Sequence, residues 1–420
     1  MNKKCSLKKD KARKIITDIE NIACKYGYPK PHLHVSDPIT DKTALERGFA
    51  GEFNVYGRFP GHPDHKRIEQ WLTDFEKGAR FRVTASGMSS IVPVLFAAGD
   101  LFGPEIIAIL PLYGNTYALL HDLEKSERHN FKIKKLYAGD PSLLLKLYDA
   151  INPSTAAIIF EIGGNPTLTF PPIEGIVYVS RASPRAKPLI ICDNTFHFGL
   201  FKAFNWGVDV IVGSGTKYMV GRSSWPLGYF GVSKRCLAEA PELWKKAQRW
   251  TNWLGATLGF VEAWLTSVCV EDVTQRVVQH SINALAVAEV LESHPLIEKV
   301  IYPGLASYPQ QETVLRYLEE INGQRYFGGV VSFYLKGAKN ETTQAFLDYL
   351  TAHTSIQHKA SLGGSDNMIE SPLILSHKDY SPEDRLMCKL SENNVRFSVG
   401  LGNPEETIEE LNMALWTVLR

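Results

Sequence analysis

Short apolar runs recur along the middle of the chain, and stretches with helical periodicity separate them. The runs are IIAIL (106–110), AAIIF (156–160), LIIC (189–192), VDVIV (208–212) and YFGV (229–232). Most of them are continuously apolar and rich in Ile and Val, which is typical of strands covered on both faces. The pattern therefore predicts an α/β fold in which helices flank a mainly parallel sheet.

The N-terminal part has a different pattern. The apolar residues Ile15, Ile19 and Ile22 recur at helical spacing and predict an amphipathic helix that ends near Gly27. Its many lysines and arginines are expected to form a solvated face; the alternative is a transit peptide or a contact with an anionic surface. Gly and Pro interrupt residues 28–65, which predicts an extended arm that lies across another surface, such as a second subunit.

The C-terminal part combines helices with further strands. A helix is predicted to end at Ser293, and GGVVSFYL (328–335) and VRFSVGL (395–401) predict strands. Asn403 can cap a final helix that has Pro404 in its first turn. We therefore expect a smaller α+β domain here. The predicted units are an N-terminal helix with its arm, a large domain and a small domain, over residues 1–65, 66–265 and 266–420.

The charge balance and composition narrow the class of protein. Among 420 residues, 46 Lys and Arg oppose 45 Asp and Glu, which gives a net charge of +1. This balance excludes a nucleic-acid binder with a strongly basic surface, and 44% hydrophobic residues exclude a disordered chain. No apolar run approaches the roughly 18 residues of a membrane helix. Six cysteines without a Cys-x-x-Cys pair favour reduced thiols in the cytoplasm and no metal site.

Polar and Gly-rich segments follow the apolar runs, at the positions where such sheets bind ligands. Lys217 lies in one of them, GSGTKYMVG, close to the hydroxyl groups of Ser214 and Thr216. The glycines of this segment allow close backbone approach, so that the lining can hold a phosphate. A desolvated lysine beside a phosphate can form an imine with an aldehyde cofactor. The alternative is an ordinary surface lysine.

Asp193 and Arg396 are two further candidates. Asp193 follows LIIC directly, and it either caps a helix, joins a buried salt bridge or pairs with the protonated ring nitrogen of pyridoxal phosphate. Arg396 alternates with the apolar Val395 and Phe397, a placement that suits bidentate binding of a carboxylate. Its alternative is a surface or salt-bridged arginine.

Three turns carry weaker signals. SGMSS (86–90) lies at the start of a predicted helix, whose amino end could hold a phosphate. The alternative is that Ser86 or Ser89 is an ordinary N-cap of this helix. Tyr113, in LYGNT, is a plain turn residue or stacks on an aromatic cofactor. Asn165, in GGNP, is a turn former or donates a hydrogen bond to a phenolic oxygen.

Taken in order along the chain, the motifs SGM, YGNT, NPT, DNT, S-x-TKY, SLGG and VRFSVG resemble the cystathionine synthase/lyase family of pyridoxal-phosphate enzymes. The resemblance extends from about Tyr56 to the carboxyl terminus and includes the segments 254–265 and 294–305. It implies a type I aminotransferase fold with pyridoxal 5′-phosphate as cofactor and an amino acid as substrate. It also implies a homotetramer assembled as a dimer of dimers.

The resemblance assigns roles by matched position. Lys217 resembles the Schiff-base lysine, and Tyr113 the tyrosine that stacks on the ring and serves as a catalytic acid or base. Asp193 resembles the partner of the pyridine nitrogen, and Asn165 the residue near the phenolic oxygen. Four residues correspond to the phosphate site: Gly87, Met88, Ser214 and Thr216. Tyr56 and Arg58 correspond to the pair that the neighbouring subunit contributes. Ser361 and Arg396 correspond to the residues that bind the carboxylate of the substrate.

Four segments depart from the family pattern, and they leave the substrate open. Asn115 stands where Gly or Cys is common, and EIGGNP replaces ESPSNP. Residues 222–224 read Arg-Ser-Ser instead of His-Ser-Asp, and residues 357–360 read Gln-His-Lys-Ala in a segment that is usually apolar in the family. In the family, acidic or small residues beside the serine of SLGG help to select the substrate, so Ala360 leaves the choice open.

The resemblance implies γ-elimination or γ-replacement at a sulfur amino acid or an O-activated homoserine, as a carbon–sulfur lyase or transferase of transsulfuration. One alternative is a specialised γ-replacement with a carbon or unusual nucleophile, motivated by His358, Lys359 and Asn115. Another is β-elimination of cystathionine or cysteine. The third, a protein that binds the cofactor without turnover, is disfavoured because the candidate lysine, aspartate and arginine are all present.

Overall fold

The computed structural model describes residues 2–34, 36–37, 47, 54, 56–126 and 129–420, with the backbone alone for residues 2–13. The α-helices are α1 (Asn2–Lys25), α2 (Pro63–Glu76), α3 (Met88–Phe102), α4 (Gly114–Lys125), α5 (Leu143–Ala150), α6 (Ile173–Ala182), α7 (Lys234–Glu239), α8 (Pro241–Trp253), α9 (Phe260–Cys269), α10 (Val273–Ser293), α11 (Gln311–Tyr317), α12 (Asn340–His353), α13 (Pro382–Met387) and α14 (Pro404–Val418). Short 3₁₀ helices span Ala203–Trp206 and Val270–Asp272. The strands are β1 (Arg80–Thr84), β2 (Glu105–Leu110), β3 (Lys132–Tyr137), β4 (Thr155–Glu161), β5 (Leu189–Asp193), β6 (Val210–Ser214), β7 (Gly228–Val232), β8 (Ile297–Ile301), β9 (Glu320–Ile321), β10 (Gln324–Arg325), β11 (Val330–Leu335), β12 (Gln357–His358), β13 (Met368–Glu370) and β14 (Asn394–Ser398).

A seven-stranded sheet in the order β1-β7-β6-β5-β4-β2-β3 forms the centre of the large domain. Its strands β2 to β6 pair in parallel. Alternate residues of β4 belong to different apolar clusters: Ile158 and Phe160 pack with α2 and α6, whereas Ala157 and Ile159 pack with α3 and α8. The predicted sheet with helices on both faces is confirmed.

Two details of the sheet differ from the pattern of apolar runs. YFGV (229–232) is grouped with the parallel strands by its apolar composition, but β7 is antiparallel to both of its neighbours. The run VDVIV begins at residue 208, whereas β6 begins at Val210. The carboxylate of Asp209 explains the second difference, because it accepts a hydrogen bond from the backbone N–H of Ile190 (3.0 Å) and pairs with two arginines.

A second sheet, of five strands in the order β12-β13-β14-β11-β8, forms the smaller C-terminal domain. The predicted strands GGVVSFYL and VRFSVGL correspond to β11 and β14, which pair antiparallel. The side chain of Asn403 accepts a hydrogen bond from the N–H of Glu405 (3.0 Å) and caps α14 as predicted. The smaller α+β domain is confirmed, while its boundary at residues 265 and 266, inside α9, stays a prediction.

The N-terminal helix forms as predicted, but its apolar residues are poorly covered. α1 ends at Lys25, and Ile15 and Ile22 are 60% and 55% exposed. Most of the predicted arm, at residues 35, 38–46, 48–53 and 55, lies outside the described residues. Among the helices that the structure does describe, none combines the length and the apolarity that crossing a bilayer requires.

Candidate active site

A cavity of about 440 Å³ opens at the carboxyl ends of the parallel strands and brings most of the predicted site residues together. Those that line it are Gly87, Met88, Tyr113, Asn165, Asp193, Ser214, Thr216, Lys217 and Arg396. The lining also contains polar and charged residues that the sequence analysis did not place there, among them Glu161, Thr195, Ser376 and Lys378. The prediction of one site beyond the strand ends therefore agrees with the geometry.

Lys217 lies in the loop after β6 and is partly buried. Its Nζ donates a hydrogen bond to Oγ of Ser361 at 3.2 Å. Burial, the largest cause, and the positive charge of Arg396 together lower the pKa of Lys217 to about 8 against the opposing effect of Glu370. A larger fraction of the amine is therefore neutral near pH 7 than for an exposed lysine, which favours its action as a nucleophile or base.

Asp193 is the last residue of β5 and lies beside Glu161 of β4 in the sheet register. Its Oδ1 accepts two hydrogen bonds from Thr195, one from the backbone N–H (2.9 Å) and one from the hydroxyl (2.6 Å). Its Oδ2 accepts no hydrogen bond from the described residues. Burial raises the pKa of Asp193 to about 6. The carboxylate is thus held in place with one oxygen left for a cationic partner.

Glu161 is a site residue that the sequence analysis missed. Its Oε1 accepts a hydrogen bond from the backbone N–H of Tyr113, and its Oε2 accepts one from the backbone N–H of Asn165 (3.1 Å). The signal was present in the sequence, because Glu161 follows AAIIF as directly as Asp193 follows LIIC. A carboxylate at the end of a buried strand needs partners in both cases.

The start of α3 packs closely against the end of β6. A Cβ atom at Gly87 would come within 2.9 Å of Cβ of Ser214, so only glycine permits this approach. The helix begins at Met88, and Oγ of Ser86 accepts a hydrogen bond from the N–H of Ser89 (3.2 Å). The amino end of α3 therefore lies beside the loop that carries the hydroxyl groups of Ser214 and Thr216. The remaining N–H groups of the first turn and the positive end of the helix dipole fit a phosphate at this position.

Arg396 lies on β14 with its guanidinium buried against the cavity. Nη1 forms an ion pair with Oε1 of Glu370 at 2.9 Å, and Nη2 donates to the backbone carbonyl of Ser361 at 2.9 Å. Nε is buried without a partner among the described residues. The free Nε–H group is a suitable donor for the carboxylate of an amino acid, and β14 holds the arginine in a fixed position.

Tyr113 precedes α4 and is partly exposed to the cavity. Its phenolic oxygen accepts a hydrogen bond from Nδ2 of Asn115 at 3.2 Å. Burial raises the pKa of Tyr113, and the negative charge of Glu370 adds to this effect while Arg396 opposes it. The hydroxyl is therefore protonated at neutral pH and can donate a proton or a hydrogen bond.

Three sets of predicted residues lie elsewhere. Tyr56 and Arg58 line a separate surface groove of about 420 Å³ with Phe260, and not the cavity of their own chain. His358 and Lys359 do not line the cavity, although the neighbouring Ala360 does. Residue 222, where the family has His, is an arginine that pairs with Asp272 at 2.8 Å on the surface.

One cavity is lined by three groups: the amine of Lys217 with its lowered pKa, the carboxylate of Asp193 with one free oxygen, and the amino end of α3 beside hydroxyl groups. These features fit the aldehyde, the ring nitrogen and the phosphate of pyridoxal phosphate. The fold and the site thus define the class of pyridoxal-phosphate-dependent enzymes.

Comparisons with known proteins agree. Residues 30–416 match the family model described as Cys/Met metabolism PLP-dependent enzyme. Human cystathionine gamma-lyase is 31% identical over 91% of this chain and 88% of its own length, and L-methionine gamma-lyase of Treponema denticola is 29% identical over 94% of each. Cystathionine gamma synthase of Xanthomonas oryzae pv. oryzae, in complex with cystathionine, has a TM-score of 0.81 at 26% identity over 94% of each chain.

A protein of Campylobacter jejuni described as an O-acetylhomoserine (thiol)-lyase has a TM-score of 0.82 at 25% identity, over 91% of this chain and 94% of its own. That structure contains N′-pyridoxyl-lysine-5′-monophosphate. The chain described here belongs to the Cys/Met metabolism family of pyridoxal-phosphate-dependent enzymes. The predicted family, fold class and cofactor are confirmed.

Proposed function

We propose that this enzyme catalyses γ-elimination or γ-replacement at a sulfur amino acid or an O-activated homoserine. The observation that carries the proposal is that Lys217, Tyr113 and Arg396 line one cavity, where a base, an acid and a carboxylate site are needed together. The names of the relatives support it, since they are γ-lyases, a γ-synthase and a thiol-lyase.

The cofactor is held, in this proposal, by residues of several elements. Lys217 would attach it covalently, Asp193 would pair with its ring nitrogen, and Asn165 would contact its phenolic oxygen. The phosphate contacts are assigned to Gly87, Met88, Ser214 and Thr216. When bound, the cofactor supplies an electron-withdrawing ring that stabilises negative charge at the carbon atoms of the substrate.

The residues of the chain position the substrate and move its protons. Arg396 and Ser361 bind the α-carboxylate, which places the α-carbon near Nζ of Lys217. The amino group of the substrate first displaces Nζ of Lys217 from its covalent attachment. The freed amine then removes the α-proton and moves a β-proton, because its lowered pKa leaves part of it unprotonated. The hydroxyl of Tyr113 donates a proton to the departing γ-substituent.

A specialised γ-replacement with a carbon or unusual nucleophile is the second candidate function. Asn115 favours it, because its amide lines the cavity and donates to the phenolic oxygen of Tyr113. This amide gives the wall near the proposed acid an additional hydrogen-bond donor, which can orient a polar nucleophile.

We further propose that the enzyme is a cytoplasmic homotetramer built as a dimer of dimers. Tyr56 and Arg58 lie outside the cavity of their own chain, where they are available to a neighbouring subunit. Large apolar side chains near them are exposed: Trp253 is 63% exposed, and Leu254 and Val261 about half. The cysteines whose side chains are described are all free thiols, as expected in the cytoplasm.

A product screen by mass spectrometry tests the proposed reaction. Wild-type enzyme is incubated with cystathionine, methionine, cysteine and acylated homoserines, with and without thiols or carbon acids. We expect a 2-oxo acid or a γ-substituted amino acid from at least one γ-substituted substrate, and none from Lys217→Ala. Products from cysteine alone would contradict γ-chemistry, and products only with a carbon acid would favour the second candidate.

A further inference from the structure

Glu161 connects the two segments that flank the proposed cofactor position. One carboxylate oxygen accepts the N–H of Tyr113, which begins the turn before α4, and the other accepts the N–H of Asn165 (3.1 Å). The two segments come from different βα connections, after β2 and after β4. One side chain therefore sets the separation between the residue assigned to the ring face and the residue assigned to the phenolic oxygen.

The surroundings of Glu161 allow little movement. Glu161 is 7% exposed, and its backbone is fixed in β4 by pairing with Asp193 of β5. The carbonyl of Asn165 is held from the other side by Nε2 of His377 at 2.9 Å. Both carboxylate oxygens of Glu161 accept a hydrogen bond, and its backbone is fixed in the sheet. The position of this side chain therefore determines the positions of Tyr113 and Asn165.

The charge of Glu161 is tied to the same geometry. Burial, the largest cause, and the neighbouring Asp193 carboxylate together raise the pKa of Glu161 to about 8, while the two backbone N–H groups oppose this increase. Two buried acids so close together do not both ionise easily, so a cation beside Asp193 stabilises the pair.

We propose that Glu161 is a positioning residue that holds the backbones of Tyr113 and Asn165 at the separation that the cofactor ring requires. This inference rests on the proposed assignment of these two residues to the cofactor. Glutamine at position 161 has nearly the same volume, but its amide group replaces one acceptor by a donor that faces an N–H. One of the two backbone segments is then released.

Glu161→Gln is tested against Glu105→Gln as a matched control. Glu105 is also buried, at 5% exposure, and also accepts two hydrogen bonds, but these come from the side chains of Asn152 and Thr155. It starts β2 and therefore lies at the opposite end of the strands from Glu161. We expect the dissociation constant of pyridoxal phosphate from the apoprotein to rise about tenfold in Glu161→Gln, as for one lost buried hydrogen bond. We expect no change in Glu105→Gln, even where its melting temperature falls.

The absorption band of the bound cofactor and its pH titration give a second readout that a general loss of stability does not move. We expect both to shift in Glu161→Gln and to match wild type in Glu105→Gln. Equal affinity and an equal spectrum in wild type and Glu161→Gln would overturn the inference. If the glutamine variant does not fold, Glu161→Asp, one methylene shorter and able to reach only one N–H, decides the question by the same measurements.

A double-mutant cycle separates positioning from a direct effect. If Glu161 acts through Tyr113, the loss of affinity in Glu161→Gln is at least about threefold smaller in a Tyr113→Ala background. Independent losses would exclude this route. Borohydride reduction of wild type reports on the proposed function separately: absence of a pyridoxyl adduct at Lys217 refutes the cofactor assignment, whereas a normal adduct with unchanged Glu161→Gln affinity refutes this inference alone.

Discussion

His197 occupies the space that a side chain at position 163 would need. A Cβ atom at Gly163 would lie 2.3 Å from Cε1 of His197, whose Nδ1 is 3.2 Å from the carbonyl oxygen of Ile162. Gly163 also has a φ of +63°. This contact gives a physical reason for the glycine in EIGGNP, the motif that departs from the ESPSNP of related sequences: here the histidine ring packs where the larger residue would be.

Gly163→Ala is therefore expected to destabilise the protein by about 3 kcal/mol, from overpacking and backbone strain together. Gly337 provides the matched control, because its φ is +69° but no atom lies within 4 Å of an added Cβ. Gly337→Ala should cost only about 1 kcal/mol. Urea denaturation measures both. Similar losses in the two variants would show that the His197 contact contributes nothing.

Lys217→Ala should lower turnover by roughly 10³-fold or more, because it removes the proposed base and point of attachment. Cofactor should still bind through its phosphate and be removable by dialysis. Steady-state kinetics and the absorption spectrum before and after dialysis check this. Lys245→Ala, in an exposed ion pair with Glu242, is the control and should retain wild-type activity.

The rate of covalent attachment of pyridoxal phosphate to the apoprotein should increase with pH. The lowered pKa of Lys217, about 8, means that the native amine loses its proton as the pH rises through 8. The neutral amine is the reactive form, so the rate should level off above about pH 9. Stopped-flow absorbance measures the midpoint. A rate that still rises steeply at pH 10 would indicate an unshifted lysine.

Arg396→Lys should lower kcat/KM by about 10- to 100-fold, mainly through KM, because lysine cannot present two parallel donors to a carboxylate. The change retains a positive charge for the buried Glu370 and so limits the loss of stability. Arg222→Lys, in a surface ion pair, serves as the control. An unchanged KM in Arg396→Lys would argue against its role in substrate binding.

Asn115→Ala should raise the pKa of Tyr113 further, because the amide donates to the phenolic oxygen and stabilises its ionised form. The limb of the kcat profile that reports on this tyrosine should move to higher pH by roughly half a unit to one unit. A superimposable pH profile would show that Asn115 does not influence the acid.

The sequence predicts the parts of the fold that depend on composition alone. The apolar runs of β2, β4 and β5 are recognisable because burial on both faces excludes polar residues. β1 and β3 were not predicted, since RFRVT and KIKKLY contain charged residues. Arg82 of β1 is nevertheless buried, because Glu69 of α2 pairs with it at 3.2 Å, a contact that no local pattern reveals.

The candidate site divides in the same way. Lys217 and Asp193 follow apolar strands closely, so their placement at one edge of the sheet could be predicted. The ion pair of Arg396 with Glu370 could not, since it joins adjacent antiparallel strands separated by a long connection.

In the proposal that Arg396 binds the substrate carboxylate, Glu370 competes with the substrate for this arginine, because the two side chains already form an ion pair. The guanidinium is never a bare cation, so an arriving amino acid joins an existing pair and the side chain need not be ordered on arrival. Binding of the carboxylate is then weaker than to an isolated arginine but quicker to reverse. We expect such a site to release its product readily and to exchange substrates at high concentration.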